Sequence, residues 1–444
     1  MIAPSSYGVL SATSANTIQG SRPGFTGQSG AKKLGFKVGN ISYSEANPVL
    51  GGSNTTKDKI EPGTPKLFEP SLKLNEFVVQ GLTVSDFTVA TDYYDADGDG
   101  AHPTTPFTVV GGVSHKWFDG NGDEITDKNK MVGCSGLRQP LTLKINLAAQ
   151  SHSQYGAPRD SDPSGLEQSY KIKSPSGICY ARPNSMNVKP EWTWYGKNNG
   201  GSWAWNSGSA VDPVHGGGYR SDFVVISSGV NLSGIVNVTD GGFKASASTK
   251  FPTTGFAKAS FDLVVTGSPS DWTFSSNGGS AVTVNSNGKV TLNSKPSGAV
   301  TITATENTTG QVHSYTFNPA LWVVPKITIS TYITYAQAVS ACGEVNKIPN
   351  RAQLTNSPQK TATSSNWQSY NYFTRAIGGG VFNEWGYTTG GPSGTYPGSQ
   401  WNSRGGDYWT RDSYSSVRQF IVDSTVGYVN WTDPILGNYV ACLE

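Results

Sequence analysis

Charge is scarce in this chain: 14% of its 444 residues are Asp, Glu, Lys or Arg, against about 25% in an ordinary soluble domain. The 33 basic residues nearly cancel the 31 acidic ones, and no basic run exceeds Lys32-Lys33. A nucleic-acid binder carries a clustered basic surplus, so that class is excluded. Long apolar runs are missing as well. The longest, Ala320–Val324, is strand-sized, far from the roughly 18 residues of a membrane helix. The N-terminus lacks a charged start followed by a hydrophobic block, so no signal peptide is read there. The expectation is an excised piece of a longer chain, with Met1 an added initiator and Leu443-Glu444 a cloning scar. Catalytic signatures are equally thin. The five histidines, at 102, 115, 152, 215 and 313, are scattered. No G-x-S-x-G elbow, H-E-x-x-H helix or G-x-x-x-x-G-K-[ST] loop occurs. Glu384 and Asp407 form the one imaginable glycosidase pair, and they read as solvated loop acids. No enzyme is expected.

What is present is aromatic and turn-rich: 12 Trp, 20 Tyr, 17 Phe, 53 Gly and 25 Pro. Glycine plus proline stays below the share of a disordered chain, and the aromatics suffice for several cores. Residues 1–65 hold few spaced apolar positions and read as a linker or partial domain. From residue 66 short alternating segments recur at the spacing of β-sandwich strands. They include Leu72–Gln80, Val84–Ala90, Phe107–Phe118, Leu141–Leu147, Phe223–Ser227, Ala257–Val265, Asp271–Phe274 and Val300–Thr305. Asp-Gly at 97–98 and 119–120, and Asn-Gly at 121–122, 277–278 and 287–288, mark tight turns. In Ala257–Val265 the alternation puts Phe261, Leu263 and Val265 on one face, and Trp117 reads as core.

Near residue 331 the period changes. Tyr332, Tyr335, Ala336, Val339 and Cys342 follow helical spacing, a further helical turn is expected within Asn366–Arg375, and strand-like runs return from Tyr408 to Cys442. Between them, Gly378–Asp407 forms a long glycine-rich loop. The tail is therefore α+β. None of the four cysteines sits in a C-x-x-C pair, so disulfides are expected in preference to a metal site. Nesting by domain pairs Cys134 with Cys179 and Cys342 with Cys442, which implies an oxidising compartment such as a periplasm or cell surface.

Several motifs together resemble the intimin/invasin family of bacterial surface adhesins. The tail carries Thr334-Tyr-Ala-Gln-Ala-Val-Ser-Ala-Cys342, Lys347-Ile-Pro-Asn-Arg-Ala-Gln-Leu354, Tyr408-Trp-Thr410 and Tyr439-Val-Ala-Cys442, similar to that family's C-type-lectin-like domain. Thr254-Gly-Phe-Ala-Lys-Ala-Ser-Phe261, Asp271-Trp-Thr-Phe-Ser-Ser276, Gly288-Lys-Val-Thr291 and Lys295-Pro resemble the bacterial Ig-like module that precedes it. Tyr93-Tyr-Asp-Ala-Asp-Gly-Asp99 with Lys116-Trp-Phe-Asp-Gly120 resembles a further Ig-like repeat. The implied architecture is mainly β. After a linker or partial N-terminal segment at 1–65, it comprises Ig-like domains at 66–190 and 191–322, the second with a Trp-rich N-terminal hairpin, and a C-type-lectin-like domain at 323–444. The implied protein is the passenger of an inverse autotransporter, held at the bacterial outer membrane by a β-barrel absent from this sequence. Its expected partner is a host-cell or neighbouring-cell receptor, protein or glycan.

The chemistry-bearing candidates follow. Asp95, Asp97 and Asp99 place oxygens as a calcium loop does, but position 12 is Pro106 and acidic turns give the same letters. Asp119–Asp123 echoes the pattern. No cofactor is expected, with calcium the alternative. The tail lacks the E-P-N or Q-P-D triplet of a calcium-dependent lectin. Trp192, Trp194, Trp203 and Trp205 flank a glycine turn and can share one hairpin face, either as a sugar-stacking platform or as core. Within Gly378–Asp407, Trp385, Tyr387, Tyr396, Trp401 and Arg404 have the composition of a binding hot spot and are the candidate receptor site, the alternative being that the rings pack the loop onto the domain's core. Rival readings are a carbohydrate-binding module using the Trp hairpin and a purely structural fibre. Finally, Pro319, Leu321, Trp322, Val323 and Pro325 join module to tail without a flexible spacer, which predicts an apolar interface there.

Overall fold

The computed structural model describes residues 20–46, 56–60, 63–188, 216–230, 236–326, 332–358 and 372–444. Two compact units emerge: residues up to 67 with 73–128 and 140–173, and residues 68–72 with 129–139 and 174–444.

In the first unit, β1 (Gly35–Val38) and β2 (Ile41–Ser44) form a hairpin, and β3 (Val78–Gln80) pairs with β1. A second, antiparallel sheet runs β4 (Phe107–Phe118), β5 (Leu141–Ser151) and β6 (Ser164–Lys173). Alternate residues of β5 are buried, as a strand with one face on a core requires. Aromatics fill the space between the sheets. Phe36 lies 5.3 Å from Tyr170, and Phe77 lies 5.0 Å from Trp117. Trp117 is wholly buried, as its strand pattern predicts. Of the two readings of the N-terminal segment, linker or partial domain, residues 20–46 follow the second: they supply β1 and β2 to this sandwich, and Phe36 and Tyr43 to its core. Their low apolar density hides this, because two short strands need only a few buried rings.

Two predicted strands are corrected. Leu72–Gln80 opens as a 3-10 turn at Leu74–Glu76, and Val84–Ala90 holds another at Val84–Asp86 followed by a helical turn. At the second, the Asp86 carboxylate accepts the Thr83 N–H at 2.8 Å, a local cap that offers the backbone an alternative to a ladder.

The second unit begins well before residue 191. Its large sheet contains β7 (Ile178–Pro183), β8 (Phe223–Val230), β9 (Val236–Lys244), β10 (Ala259–Val265) and β12 (Lys289–Leu292). β8 pairs with β9, β9 with β7, β7 with β10, and β10 with β12. The facing sheet is β11 (Trp272–Ser276), β13 (Val300–Glu306) and β14 (Val312–Phe317). Phe261, Leu263 and Val265 all turn inward, as the alternation predicts.

β15 (Leu321–Pro325) then carries the chain into the tail. Helix α1 (Tyr335–Cys342) starts at a capping box, with Thr334 Oγ1 accepting from Gln337 N and Gln337 Oε1 accepting from Thr334 N. It stops at Gly343, whose φ of +87° suits glycine. After α2 (Arg351–Leu354) and α3 (Val381–Trp385), β16 (Asp407–Ser415), β17 (Arg418–Asp423) and β18 (Val429–Thr432) form an antiparallel sheet. β19 (Ala441–Leu443) pairs back onto β15. The tail is an α+β domain. Residues 372–375 are not helical, and the rest of the expected helix at 366–371 lies outside the described residues. Both disulfides form as nested, Cys134–Cys179 and Cys342–Cys442.

Module and tail share one core. The residue-255 strand pairs with Trp322 of β15, and a side chain at Gly255 would meet the indole at 2.6 Å. Trp322 is buried, so the predicted apolar junction exists.

Candidate functional site

The Gly378–Asp407 segment was expected to present its aromatics to a partner, and most of them point the other way. Phe251 and Phe256, from the module, project into the tail. Phe251 lies 4.8 Å from Trp385, while Phe256 lies 5.2 Å from Tyr396 and 5.5 Å from Trp401. Trp385 and Tyr396 are wholly buried and Trp401 nearly so. The Trp385 indole N–H donates to Thr254 and the Tyr396 hydroxyl to the Trp385 carbonyl. These three rings are core and cannot meet a receptor. Their composition misleads because hot spots and aromatic cores use the same large, polar-tipped rings.

Tyr387 and Arg404 keep exposure: Tyr387 is half-buried and Arg404 faces solvent. Glycines hold this end of the segment. At Gly405 (φ +75°) an added Cβ would lie 2.3 Å from Thr425, and at Gly406 (φ +143°) 2.7 Å from the Tyr439 ring.

The carboxylates also differ from expectation. Glu384 is no solvated acid but fully buried, at the end of α3. Its oxygens accept from the N–H and hydroxyl of Thr253 (hydroxyl 2.7 Å), the N–H and hydroxyl of Thr254 (2.9 and 2.7 Å), and Gly378 N (2.8 Å). Burial pushes its pKa up, against the pull of these donors. Beside it, the buried Arg375 donates to the carbonyls of Ser185, Asn187 and Glu384 and lies over Phe223. Burial lowers the pKa of that guanidinium to about 10. Together they clamp module strands to tail helix. Asp407 sits opposite Asp423 across the β16–β17 ladder. Burial and the neighbouring Asp423 raise Asp407 to about 7. No local pattern marks Glu384 or Arg375 as a clamp, because their partners lie about 130 and 190 residues away in sequence.

In the first unit, the carboxylates of Asp95, Asp97 and Asp99 do converge, within 4.8 Å of one another. The Tyr93 hydroxyl donates to Asp95 at 2.8 Å, and Ser21 N donates to Asp97. Asp97 is raised, chiefly by its hydrogen bond with Asp95. The Asp119 carboxylate instead accepts its own turn's N–H groups, from Asn121 at 2.8 Å and Asp123 at 3.0 Å. That acid is there for turn conformation.

A cleft of about 400 Å³ opens in the second unit, lined among others by Lys130, Arg182, Asp240, Asp262 and Lys289. Its cations are paired internally: Arg182 and Lys130 with Asp240, and Lys289 with Asp262 at 3.5 Å. Trp192, Trp194, Trp203 and Trp205 lie outside the described residues. Tyr332, Ile435 and Leu436 are exposed. The available signal for the last two is an apolar pair inside a turn-forming run, Asp433-Pro434 before it and Gly437-Asn438 after. Among the described residues no helix is long and apolar enough to cross a membrane.

Residues 234–317 match the family described as Invasin, domain 4. A crystal structure of an EHEC O157:H7 intimin mutant is 21% identical, covers 50% of this chain and 94% of its own, and has a TM-score of 0.29. The structure of invasin, a bacterial integrin-binding protein, is 17% identical and covers 82% of this chain and 64% of its own, with a TM-score of 0.36. A C-terminal 282-residue intimin fragment in complex with the intimin-binding domain of the translocated intimin receptor is 14% identical. It covers 80% of this chain and 95% of its own at a TM-score of 0.31. No curated protein matches the chain. The family match thus covers one module of the chain, residues 234–317.

Proposed function

We propose that this chain is the outward-facing part of a bacterial surface adhesin, and that its C-terminal α+β domain meets a receptor on a host or neighbouring cell. The observation that carries the reading is the invasin-type module at 234–317. In support, that module runs through β15 into a tail sharing its core, so a surface on the tail is held at a fixed attitude to the module. Tyr387 and Arg404 are the members of the expected hot-spot set that remain accessible. On this reading, attachment to the bacterium is through an outer-membrane β-barrel.

The test is attachment of fluorescently labelled, purified chain to cultured epithelial cells and to bacterial cells. Saturable attachment to one of them, competed by unlabelled chain, is expected. A chain that attaches saturably to neither contradicts the reading.

A further inference from the structure

Covalent and backbone constraints frame the cleft of the second unit. The Cys134–Cys179 disulfide pins the 129–139 segment, with Lys130 and Ser135, against β7, which contributes Arg182. The β7–β10 ladder breaks register between Ile178 and Tyr180, at the bridged Cys179, and such bulges gather beside functional sites. A second irregularity involves Asp240: the β8–β9 register shifts on either side of its partner, Ser227. The glycine after Asp240 permits this. At Gly241 (φ +132°) an added Cβ would lie 2.0 Å from the Val224 carbonyl oxygen. Arg182 and Asp240 both line the cleft.

One acceptor in the cleft is left over. The Asp240 side chain is 5% exposed, and its Oδ1 accepts from Gly241 N at 3.0 Å and from Arg182. Its Oδ2 has no hydrogen-bond partner among the described residues. Lys130 Nζ stands 3.7 Å from that oxygen, at ion-pair distance but outside hydrogen-bond range. An unmade hydrogen bond at a buried acceptor is costly, so Oδ2 calls for a donor. A hydroxyl group that donates to Oδ2 while accepting from Lys130 satisfies both. Charge adds a second requirement. Arg182 and Lys130 share the one Asp240 carboxylate, whereas Lys289 has Asp262 at 3.5 Å, so the lining holds three cations for two carboxylates. Asn285 and Asn287 add amides at the exposed rim. The complement is a small molecule with several hydroxyls and one negative charge, and about 400 Å³ falls within the roughly 300–1,000 Å³ of small-ligand clefts. A peptide added as a strand is disfavoured. β10, at the cleft, is paired on both sides as far as Asp262, and Leu263 N then donates to the Gly288 carbonyl at 2.8 Å, which leaves no edge long enough.

We propose that this cleft binds a saccharide of mono- or disaccharide size carrying a single acidic group, with Asp240 and Lys130 gripping one of its hydroxyls and the surplus cation meeting the acid. The site lies in the module and does not depend on the adhesin reading, which concerns the tail.

The test is a glycan array probed with the full chain, carrying uronate-, sialate- and sulfate-bearing sugars beside their neutral counterparts, followed by isothermal titration calorimetry with the tightest binder. Binding to at least one acidic glycan is expected, with its neutral counterpart about tenfold weaker or worse. Lys130→Ala, checked for fold by thermal melting, is expected to weaken binding about tenfold, the size of one charge-assisted hydrogen bond. Asn287→Ala, which alters an exposed turn side chain, is expected to weaken it less. Three results each overturn the proposal: no acidic glycan bound, equal binding of acidic and neutral forms, or full affinity in folded Lys130→Ala. Should Lys130→Ala not fold, full affinity in Asn287→Ala overturns it. None of these touches the adhesin reading, which stands or falls on attachment to cells.

Discussion

Asp407 and Asp423 face each other on neighbouring strands, both half-buried, and like charges directly opposite in a ladder destabilise it. Asp407 rises from 3.8 in an unfolded chain to about 7, so between these values the folded state holds the extra proton. Its stabilising contribution is complete below about pH 4 and lost as pH rises through about 7. At roughly 1.36 kcal/mol per unit, removing the charge with Asp407→Asn should recover up to about 4 kcal/mol at pH 8 and nothing at pH 4. Urea titrations of both proteins across that range check this, and a parallel pair of curves would refute it. Glu384→Gln makes the opposite point: an amide nitrogen would face N–H and hydroxyl donors in a buried site, so a loss of about 2–4 kcal/mol is expected in the same titrations. Legibility at this scale is uneven. Cysteine pairing follows from nesting because few partners exist. The fate of Trp385, Tyr396 and Trp401 does not, because Phe251 and Phe256, which bury them, come from more than a hundred residues earlier.

Elements with strong local signals are readable from sequence: α1 from its spacing, and β10 from its alternation. Those decided by a cap or a distant partner are not, hence the 3-10 turns read as strands and the strands of residues 20–46 left undivided between linker and partial domain. β15 is the element on which module and tail meet, with Thr254-Gly255 on one side and β19 on the other. Trp322→Ala there should cost about 3–5 kcal/mol, since a buried indole leaves a cavity. Calorimetry should show module and tail melting together at the lower temperature; an unchanged module transition would contradict the shared seam. β19 is also tied by Cys342–Cys442, separated by 100 residues. On the chain-entropy model, replacing both cysteines with alanine should cost about 4–5 kcal/mol, read as a lower denaturation midpoint.

At the scale of the molecule, the domain division implied by the family resemblance places a boundary at 322–323, and one core cluster spans it. The hydrophobic period changes where secondary structure changes, and a core is indifferent to that line. One consequence is practical. Removing 323–444 would strip Phe251, Phe256 and Trp322 of their cover, so loss of attachment by such a truncation would report unfolding; surface substitutions are the valid probe. Invasin-type module and tail, sharing one core, should behave as one cooperative body. Native-state hydrogen exchange on the full chain, with increasing denaturant, measures this directly. Amides of β10 in the module and of β16 and β17 in the tail should exchange through one opening, with the same free energy and the same denaturant dependence. A separate, lower-energy opening confined to the tail strands would contradict it.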